Sequence, residues 1–339
     1  MDFAYDKGSV LMDLYKMPKL DLHCHLDGSM ELLSTQNILK SMGMEYSLQE
    51  LEKELKAPKE CNSLAEYLKS FDIPIKCIQT EEGLFTAAKE LALSAAKENV
   101  KYLEVRFAPS FSTSEGLSIR QILESVEKGL EFAKNQSDIR TGIIVCGMRN
   151  LDNSVNLDML KQARQMLGYG VVACDLAGDE KAYKTSLFYD FFELARKYDM
   201  PFTIHSGECG SVENIKTAID YGAKRLGHGI AMEKDVNLMK LCADKKIGVE
   251  LCPTSNLQTK AVKDFDEYPY DIMKKNGVMV SINTDNRTVS ETTSTKEFER
   301  IVNKFNLSDE DLRKIYTDSV DMIFTDDDCK EYLLRKWED

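Results

Sequence analysis

The stretch KLDLHCHL, residues 19 to 26, begins a series of eight strand-like runs. Each run is short, apolar and rich in β-branched residues, and a helix-like segment follows it, which is the pattern of strand–helix units around a parallel sheet. Eight such units close a (β/α)8 barrel, so we predict an α/β fold in which residues 1–339 form a single TIM-barrel domain. The seven further runs are YLEVRFAP (102 to 109), TGIIVCGM (141 to 148), VVACDLAG (171 to 178), PFTIHSGE (201 to 208), RLGHGI (225 to 230), IGVELCPTS (247 to 255) and VMVSINTD (278 to 285).

The connection between the first two runs is longer than one helix requires. Residues 28 to 100 contain helical patterns at 63 to 71 (SLAEYLKSF) and at 80 to 100, where Thr80 is a suitable N-cap. One face of the first pattern is apolar and contains Leu64, Tyr67, Leu68 and Phe71. We interpret this region as a helical insertion after strand 1 that covers the mouth of the barrel.

Two other helix starts are marked by capping residues. Ser118 with Gln121 forms a capping-box pattern, and Ser308 with Asp311 forms a similar one. We therefore expect residues 288 to 339 to form extra C-terminal helices that complete the barrel domain, and not a second domain.

The composition excludes several classes of protein. Lys plus Arg number 44 and Asp plus Glu 57, which gives a net charge of −13, the wrong sign for a nucleic-acid partner. The nine cysteines include no C-x-x-C pair, so reduced thiols are a better interpretation than a disulfide framework. The N-terminus has no continuous apolar segment, and no run of apolar residues is long enough to cross a membrane. We expect a cytoplasmic protein without a membrane partner.

Four histidines lie at the predicted carboxyl ends of strands, where the active sites of barrel enzymes form. His23 and His25 are two residues apart on one strand, so their imidazoles project to the same side while Cys24 projects to the other. Such a pair alone is more often a hydrogen-bonded pair than a metal site. The other two are His205 and His228, on strands 5 and 6.

Two acidic residues at neighbouring strand ends favour metal chemistry. Asp285 follows strand 8, which lies beside strand 1, and Glu208 follows strand 5. Three imidazoles and a carboxylate suit a borderline-soft divalent ion, and zinc is the first choice. Zinc can lower the pKa of a bound water to about 7. Glu208 is a candidate general acid, and His228, between two glycines, is expected close to the reacting water.

Six motifs, in order along the chain, carry a resemblance to a known family: LDLHCHLDGS (20 to 29), VVACDLAGDE (171 to 180), IHSGECG (204 to 210), RLGHG (225 to 229), LCPTSNLQT (251 to 259) and SINTDN (281 to 286). The sequence resembles the adenosine deaminase family of the amidohydrolase superfamily, and most closely its bacterial members. The resemblance implies hydrolytic deamination of adenosine, and of 2′-deoxyadenosine, to inosine or deoxyinosine and ammonia in purine salvage.

The resemblance also implies a role for each site residue. Glu208 would protonate purine N1, and His228 with Asp285 would position the attacking water. The single Zn2+ of each chain would be bound by His23, His25, His205 and Asp285. The partners would be a small purine nucleoside and water, with no protein partner.

Further residues are implied in substrate binding. His25 and Asp27 would border the ribose, with Asp27 meeting its 5′-hydroxyl, and the backbone of Gly178 would serve purine N3. Asn286 stands where the family often has an aspartate that contacts purine N7, and an amide can donate a hydrogen bond there without prior protonation. Part of the apolar face at 64 to 71 would gate the pocket.

The sequence disfavours two alternatives and leaves others open. A dinuclear amidohydrolase would need a lysine at the end of strand 4, but the nearest one is Lys181. The motifs of cytidine-deaminase-type enzymes are missing from the sequence. A deaminase of free adenine is a closer alternative, although its relatives tend to have HLEG where this chain has Asp27. Asp175 could support a metal ligand or be an ordinary buried aspartate, and a binding protein without catalytic activity is the non-enzymatic alternative.

Overall fold

The fold was analysed in a computed structural model, which describes residues 12–58 and 67–338. Eight strands lie along the chain, and each connects to the next through at least one helix. Their bounds are β1 Lys19–His25, β2 Val100–Phe107, β3 Arg140–Met148, β4 Val171–Ala177, β5 Thr203–Ser206, β6 Arg225–His228, β7 Gly248–Leu251 and β8 Val280–Ile282.

The eight strands are parallel and form a closed barrel. Strands β1 to β4 pair in order, and β5 to β8 pair in order. Two short parallel bridges join these halves, one between Cys24 and Asp285 and one between Cys174 and Phe202. At the first bridge His25 donates its backbone N–H to the carbonyl of Asp285 at 2.6 Å. The predicted α/β TIM-barrel fold is confirmed, and the first bridge places residues of β1 and of the β8 end side by side.

Helices surround the barrel, and the main hydrophobic core lies between them and the outer faces of the strands. Their bounds are α1 Leu32–Ser41, α2 Leu48–Leu55, α3 Asp72–Cys77, α4 Glu81–Lys97, α5 Ile119–Gln136, α6 Asn153–Ala163, α7 Tyr189–Lys197, α8 Val212–Tyr221, α9 Val236–Asp244, α10 Pro253–Gln258, α11 Tyr270–Lys275, α12 Ser294–Phe305, α13 Asp309–Met322 and α14 Asp327–Arg335. None of the helices in the described ranges is both long and apolar enough to cross a membrane.

The insertion between β1 and β2 contains α1 to α4, as the length of that connection predicted. The helix predicted at 63 to 71 does not end as expected. The structure has a 3-10 turn at Leu68–Phe71, and α3 follows it directly. Pro74 explains the break, because proline has no N–H to continue the hydrogen bonding of an α-helix. Leu64 lies outside the described residues. Thr80 caps α4, as predicted, by accepting a hydrogen bond from the N–H of Gly83.

The predicted capping boxes are also present. Ser118 and Gln121 exchange side-chain and backbone hydrogen bonds at the start of α5, and Ser308 and Asp311 do the same at the start of α13. The predicted C-terminal helices are α12 to α14. The last of them packs Leu333 into a small cluster that contains Leu20 and Leu22 of β1 and covers the amino end of the barrel.

Candidate active site

A cavity of about 340 Å3 opens at the carboxyl ends of the strands. This volume is in the range of pockets that take a small organic ligand. His23 lies behind the cavity wall, fully buried. All the other predicted site residues line the cavity: His25, Asp27, Gly178, His205, Glu208, His228, Asp285 and Asn286.

Three imidazoles and one carboxylate converge at the floor of this cavity. His23, His25, His205 and Asp285 each offer one ligand atom, and the four atoms lie within 4.8 Å of one another. Asp285 Oδ1 is 3.4 Å from His23 Nε2 and 3.5 Å from His25 Nε2. His25 Nε2 is 3.2 Å from His205 Nε2. Burial lowers the pKa of His25 well below its usual value, so its imidazole is neutral and available as a ligand.

A buried carboxylate orients each of two histidines from behind. Glu250 Oε2 on β7 lies 2.8 Å from His23 Nδ1, and Asp175 Oδ2 on β4 lies 2.8 Å from His205 Nδ1. Arg106 on β2 bridges the two acids, at 2.9 Å from Asp175 and 2.8 Å from Glu250. The Nδ1–H of His23 therefore points to an acid and its Nε2 faces Asp285, which is the usual orientation of a metal-binding histidine. His205 Nδ1 lies beside its acid, but the contact does not have hydrogen-bond geometry.

The donor set fits a divalent metal ion. His23 Nε2 is buried and has no hydrogen-bond partner among the described residues. A buried nitrogen of this kind costs free energy unless a ligand satisfies it. Although burial opposes ionisation, contact with His23 holds the pKa of Asp285 well below its usual value, so the group is an anionic ligand. Three imidazoles and one carboxylate match the ligand types of zinc sites.

Glu208 and His228 face each other beside these four residues. His228 Nε2 lies 3.8 Å from Glu208 Oε2, and the other oxygen of Glu208 accepts a hydrogen bond from Thr259 Oγ1 at 3.0 Å. Asn256 Nδ2 lies 2.9 Å from His228 Nδ1. Tyr268 donates its hydroxyl to Asn256 Oδ1, which leaves the amide group as the donor to His228.

These contacts give His228 a defined protonation state. Burial lowers its pKa to about 4, so the ring is neutral near pH 7. Because Nδ1 accepts a hydrogen bond from Asn256, the single ring proton is on Nε2, which faces the cavity. His228 is thus a hydrogen-bond donor toward the cavity. Its φ of 62° and that of Asp285, 58°, lie in the left-handed region, where non-glycine residues often mark functional positions.

Two glycines allow this close arrangement. A Cβ at Gly227 would lie 3.1 Å from His205 Cα and 3.2 Å from His23 Cε1, so any larger residue would require β6 or one of the histidines to shift. Gly207 has a φ of 82°, and a Cβ there would approach Ile215 Cδ1 to 2.5 Å. At Gly207 the chain turns sharply after β5 and brings Glu208 into the cavity wall.

Three predicted substrate-binding residues lie around the same cavity. Asp27 begins a short 3-10 turn after β1, and burial raises its pKa to about 6. Gly178 has a φ of 101° and lines the wall at the end of β4. Asn286 donates its amide to Tyr67 Oη at 3.0 Å, which ties the β8 end to the insertion. Tyr67 and Phe71 line the cavity from the insertion, on the apolar face that the spacing of the sequence indicated.

Sequence reasoning missed the polar residues that support the site. Glu250, Asn256 and Thr259 touch predicted site residues, and Arg106 holds Glu250 in place. None of the four was singled out from the sequence. Charged residues inside apolar strand patterns, as in YLEVRF and IGVEL, were a usable signal, because a buried charge is retained only with a partner. Asn256 and Thr259 gave no such signal, since polar residues are ordinary in a short helix and at its C-cap.

A closed (β/α)8 barrel with three histidines and an aspartate at its carboxyl face defines a metal-dependent amidohydrolase. The sequence profile of the adenosine deaminase family matches residues 18–339. The chain belongs to the adenosine deaminase family, as the six motifs indicated.

Individual relatives agree with this assignment. An adenosine deaminase of Clostridium botulinum is 42% identical over 329 residues, which cover 96% of this chain and 99% of the relative. The solved adenine deaminase of Arthrobacter aurescens has a TM-score of 0.87 at 22% identity and covers 95% of this chain and 98% of its own. An amidohydrolase of Burkholderia ambifaria solved with bound Zn has a TM-score of 0.87 at 20% identity, covering 98% of this chain and 94% of its own. At these identities the two solved structures support the fold alone.

Proposed function

We propose that this chain is a zinc-dependent enzyme that hydrolyses adenosine, and 2′-deoxyadenosine, to inosine or deoxyinosine and ammonia. One observation gives the proposal its main support. The four converging ligand atoms lie in the same cavity as Glu208 and His228, in a chain 42% identical to an adenosine deaminase. A purine-salvage role in the cytoplasm agrees with the free cysteines of the described residues, and we treat residues 1–339 as one catalytic domain.

The metal would be held by His23, His25, His205 and Asp285. Zinc is favoured because its preferred donors are imidazole nitrogen, thiolate and carboxylate, and it binds three or four of them. When bound, zinc lowers the pKa of a water molecule to about 7 and so makes water a nucleophile at neutral pH. The buried acids Glu250 and Asp175 keep two of the imidazoles oriented for that role.

Glu208 is the residue proposed to protonate the purine. Its Oε1 is occupied by the hydroxyl of Thr259, which leaves Oε2 for N1 of the substrate. Protonation of N1 makes C6 more electrophilic, and a positioned acid of this kind contributes about 10²- to 10⁴-fold in rate. As the C6–N6 bond breaks, the amino group takes up one proton of the water and leaves as ammonia, the other water proton returns to Glu208, and the oxygen of water remains on C6.

His228 and Asp285 are proposed to orient the attacking water. The Nε2–H of His228 donates to the water oxygen, and the Asp285 carboxylate, which lies beside His228, accepts a water proton. Because His228 is neutral near pH 7, it does not add a positive charge that would disfavour a bound cation.

The remaining residues are proposed to select the nucleoside. Asp27 accepts a hydrogen bond from the 5′-hydroxyl of ribose, His25 borders the sugar, and the backbone N–H of Gly178 donates to purine N3. Asn286 lies near N7. Its amide already donates to Tyr67, so a contact with N7 uses the second amide hydrogen.

A panel of substrates tests this assignment. The purified protein is incubated with adenosine, 2′-deoxyadenosine, adenine, AMP and cytidine, and the release of ammonia is measured with each. We expect kcat/KM to be highest for the two nucleosides of adenine. A preference for free adenine would refute the nucleoside assignment while retaining the chemistry, and no ammonia from any purine would refute both.

A further inference from the structure

Glu180 is a buried carboxylate that lies beside the loop that carries Glu208. It belongs to the loop after β4 and is only 2% exposed. Its Oε1 accepts the backbone N–H of Gly207 at 2.6 Å, and its Oε2 accepts the backbone N–H of Cys209 at 3.1 Å. These are the two residues on either side of Glu208 in the sequence, so one carboxylate fixes the backbone both before and after the proposed acid.

A further donor holds Glu180 in position. Asn214 Nδ2 on α8 donates to Glu180 Oε1 at 3.0 Å, and Asn214 Oδ1 accepts the backbone N–H of Thr185. All three partners of the Glu180 carboxylate are N–H donors. The group therefore acts only as an acceptor, which an ionised carboxylate does with both oxygens.

Glu180 also connects two walls of the cavity. Gly178 and Asp179, which precede it directly, line the cavity on the β4 side, while Glu208 lines it on the β5 side. Thr259 fixes one oxygen of the Glu208 side chain, but it does not contact the backbone of that residue. The backbone on either side of Glu208 is held by the turn at Gly207, by the hydrogen bond from the N–H of Ala231 to the Gly207 carbonyl, and by the two hydrogen bonds that Glu180 accepts.

We propose that Glu180 is a positioning residue for deamination, which sets the place of Glu208 relative to the substrate wall formed by Gly178 and Asp179. This inference rests on the proposed function of Glu208 as the proton donor. Glu180 itself does not line the cavity and takes no part in proton transfer.

The substitution Glu180→Gln disturbs this arrangement with little change in shape. Glutamine has one acceptor oxygen and one NH2 group in place of two acceptor oxygens. In either orientation of its amide, at least one of the N–H groups of Gly207 and Cys209 faces another donor. The loop must shift to relieve that contact, and a shift of about 1 Å at a catalytic group can cost about 10²-fold in rate.

The test is a double-mutant cycle on the metal-loaded enzyme with adenosine. Four proteins are compared, namely wild type, Glu180→Gln, Glu208→Gln and the double variant. We expect Glu180→Gln to lower kcat by about 10- to 100-fold with KM within about threefold, because the loss is in the chemical step. If Glu180 acts through Glu208, the double variant should be within about twofold of Glu208→Gln alone.

Controls separate a positioning role from a general structural one. Glu213→Gln, on the same helix as Asn214 but exposed, should leave kcat and KM unchanged. Metal content of Glu180→Gln should equal that of wild type. Should Glu180→Gln fold poorly, Glu180→Asp replaces it in the cycle, since its shorter carboxylate cannot reach both N–H groups.

Two outcomes would overturn the inference in distinguishable ways. If wild type deaminates adenosine but the losses of the two single variants multiply in the double variant, Glu180 does not act through Glu208 and the inference alone fails. If wild type releases no ammonia from adenosine, the proposed function fails and the inference fails with it.

Discussion

Glu250 Oε2 lies 2.8 Å from His23 Nδ1, and both side chains are fully buried. This contact places a proton of His23 on Nδ1. Nε2, which has no hydrogen-bond partner among the described residues, lies 3.4 Å from Asp285 Oδ1. Glu250 also accepts hydrogen bonds from Arg106, Arg225 and Thr203, so its position is fixed by three further strands. The metal-binding orientation of a residue on β1 is therefore set by a residue on β7.

Replacing Glu250 by glutamine should weaken metal binding. Loss of a carboxylate behind a metal-binding histidine typically costs about 10- to 100-fold in metal affinity. Two buried arginines also lose a counter-charge, so the free energy of unfolding should fall by about 3–5 kcal/mol. Metal retained after dialysis against a competing chelator, measured beside thermal unfolding, gives both quantities.

Glu104 provides a matched control for that variant. It is fully buried on β2 and pairs with Arg225, but it touches no histidine. Glu104→Gln should lower stability in the same way and leave metal affinity unchanged. Equal losses of metal in the two variants would show that Glu250 acts on the fold and not on His23.

Replacing Glu208 by glutamine should reduce turnover with the metal retained. Glutamine has nearly the same shape and still accepts the hydroxyl of Thr259, but it cannot deliver a proton to N1. The expected loss in kcat is about 10²- to 10⁴-fold. Steady-state kinetics with elemental analysis of the same sample test this, and a loss of less than about tenfold would remove Glu208 from the mechanism.

Asp27 should make recognition of the 5′-hydroxyl dependent on pH. Burial raises its pKa to about 6, so the carboxylate that accepts a hydrogen bond is present above pH 6 and is lost as the pH falls below it. The ratio of kcat/KM for adenosine to that for 5′-deoxyadenosine should therefore fall with decreasing pH. Taking the ratio cancels the titration of groups that act on both substrates. A ratio that is the same from pH 5 to 8, or that is unchanged in Asp27→Ala, would show that Asp27 only caps its turn.

More of the fold than of the site could be predicted from the sequence. Apolar β-branched runs separated by helix-length segments are determined by local chemistry, so the strands and the caps at Ser118 and Ser308 were found without tertiary information. The helix predicted at 63 to 71 was partly wrong, since Pro74 imposes a break that the apolar spacing does not show.

The placement of the site residues followed from topology, because every strand of a barrel ends at the same face. The contacts that support the site residues did not follow from topology. Arg106 joins Asp175 to Glu250 across three strands that are far apart in sequence, and a single sequence contains no record of such pairs. The sequence left Asp175 between a structural and a supporting role, and its 2.8 Å contact with His205 Nδ1 favours the second. The catalytic and binding roles of the site residues stay predictions until variants are measured.

Glu297 on α12 should make stability depend on pH. Burial raises its pKa from 4.5 to about 7, so the folded state binds a proton between these values that the unfolded state has lost. Stability from this group is present at low pH and falls as the pH rises from about 4.5 to 7, by up to roughly 3 kcal/mol. In Glu297→Gln the amide oxygen can still accept the N–H of Thr254 and the NH2 group can donate to Thr292. Chemical denaturation at pH 5 and pH 8 should therefore show that the variant is more stable than wild type at pH 8 and similar at pH 5, and the reverse pattern would exclude a buried neutral acid.

The central claim is that this chain hydrolyses adenosine with a metal held by His23, His25, His205 and Asp285. The most direct measurement is the amount of inosine and ammonia formed from adenosine by the purified protein before chelation, after chelation, and after addition of one Zn2+ per chain. We expect equal amounts of the two products, loss of both with the metal, and recovery on adding zinc. Full activity in demonstrably metal-free protein, or a requirement for two metal ions per chain, would contradict it.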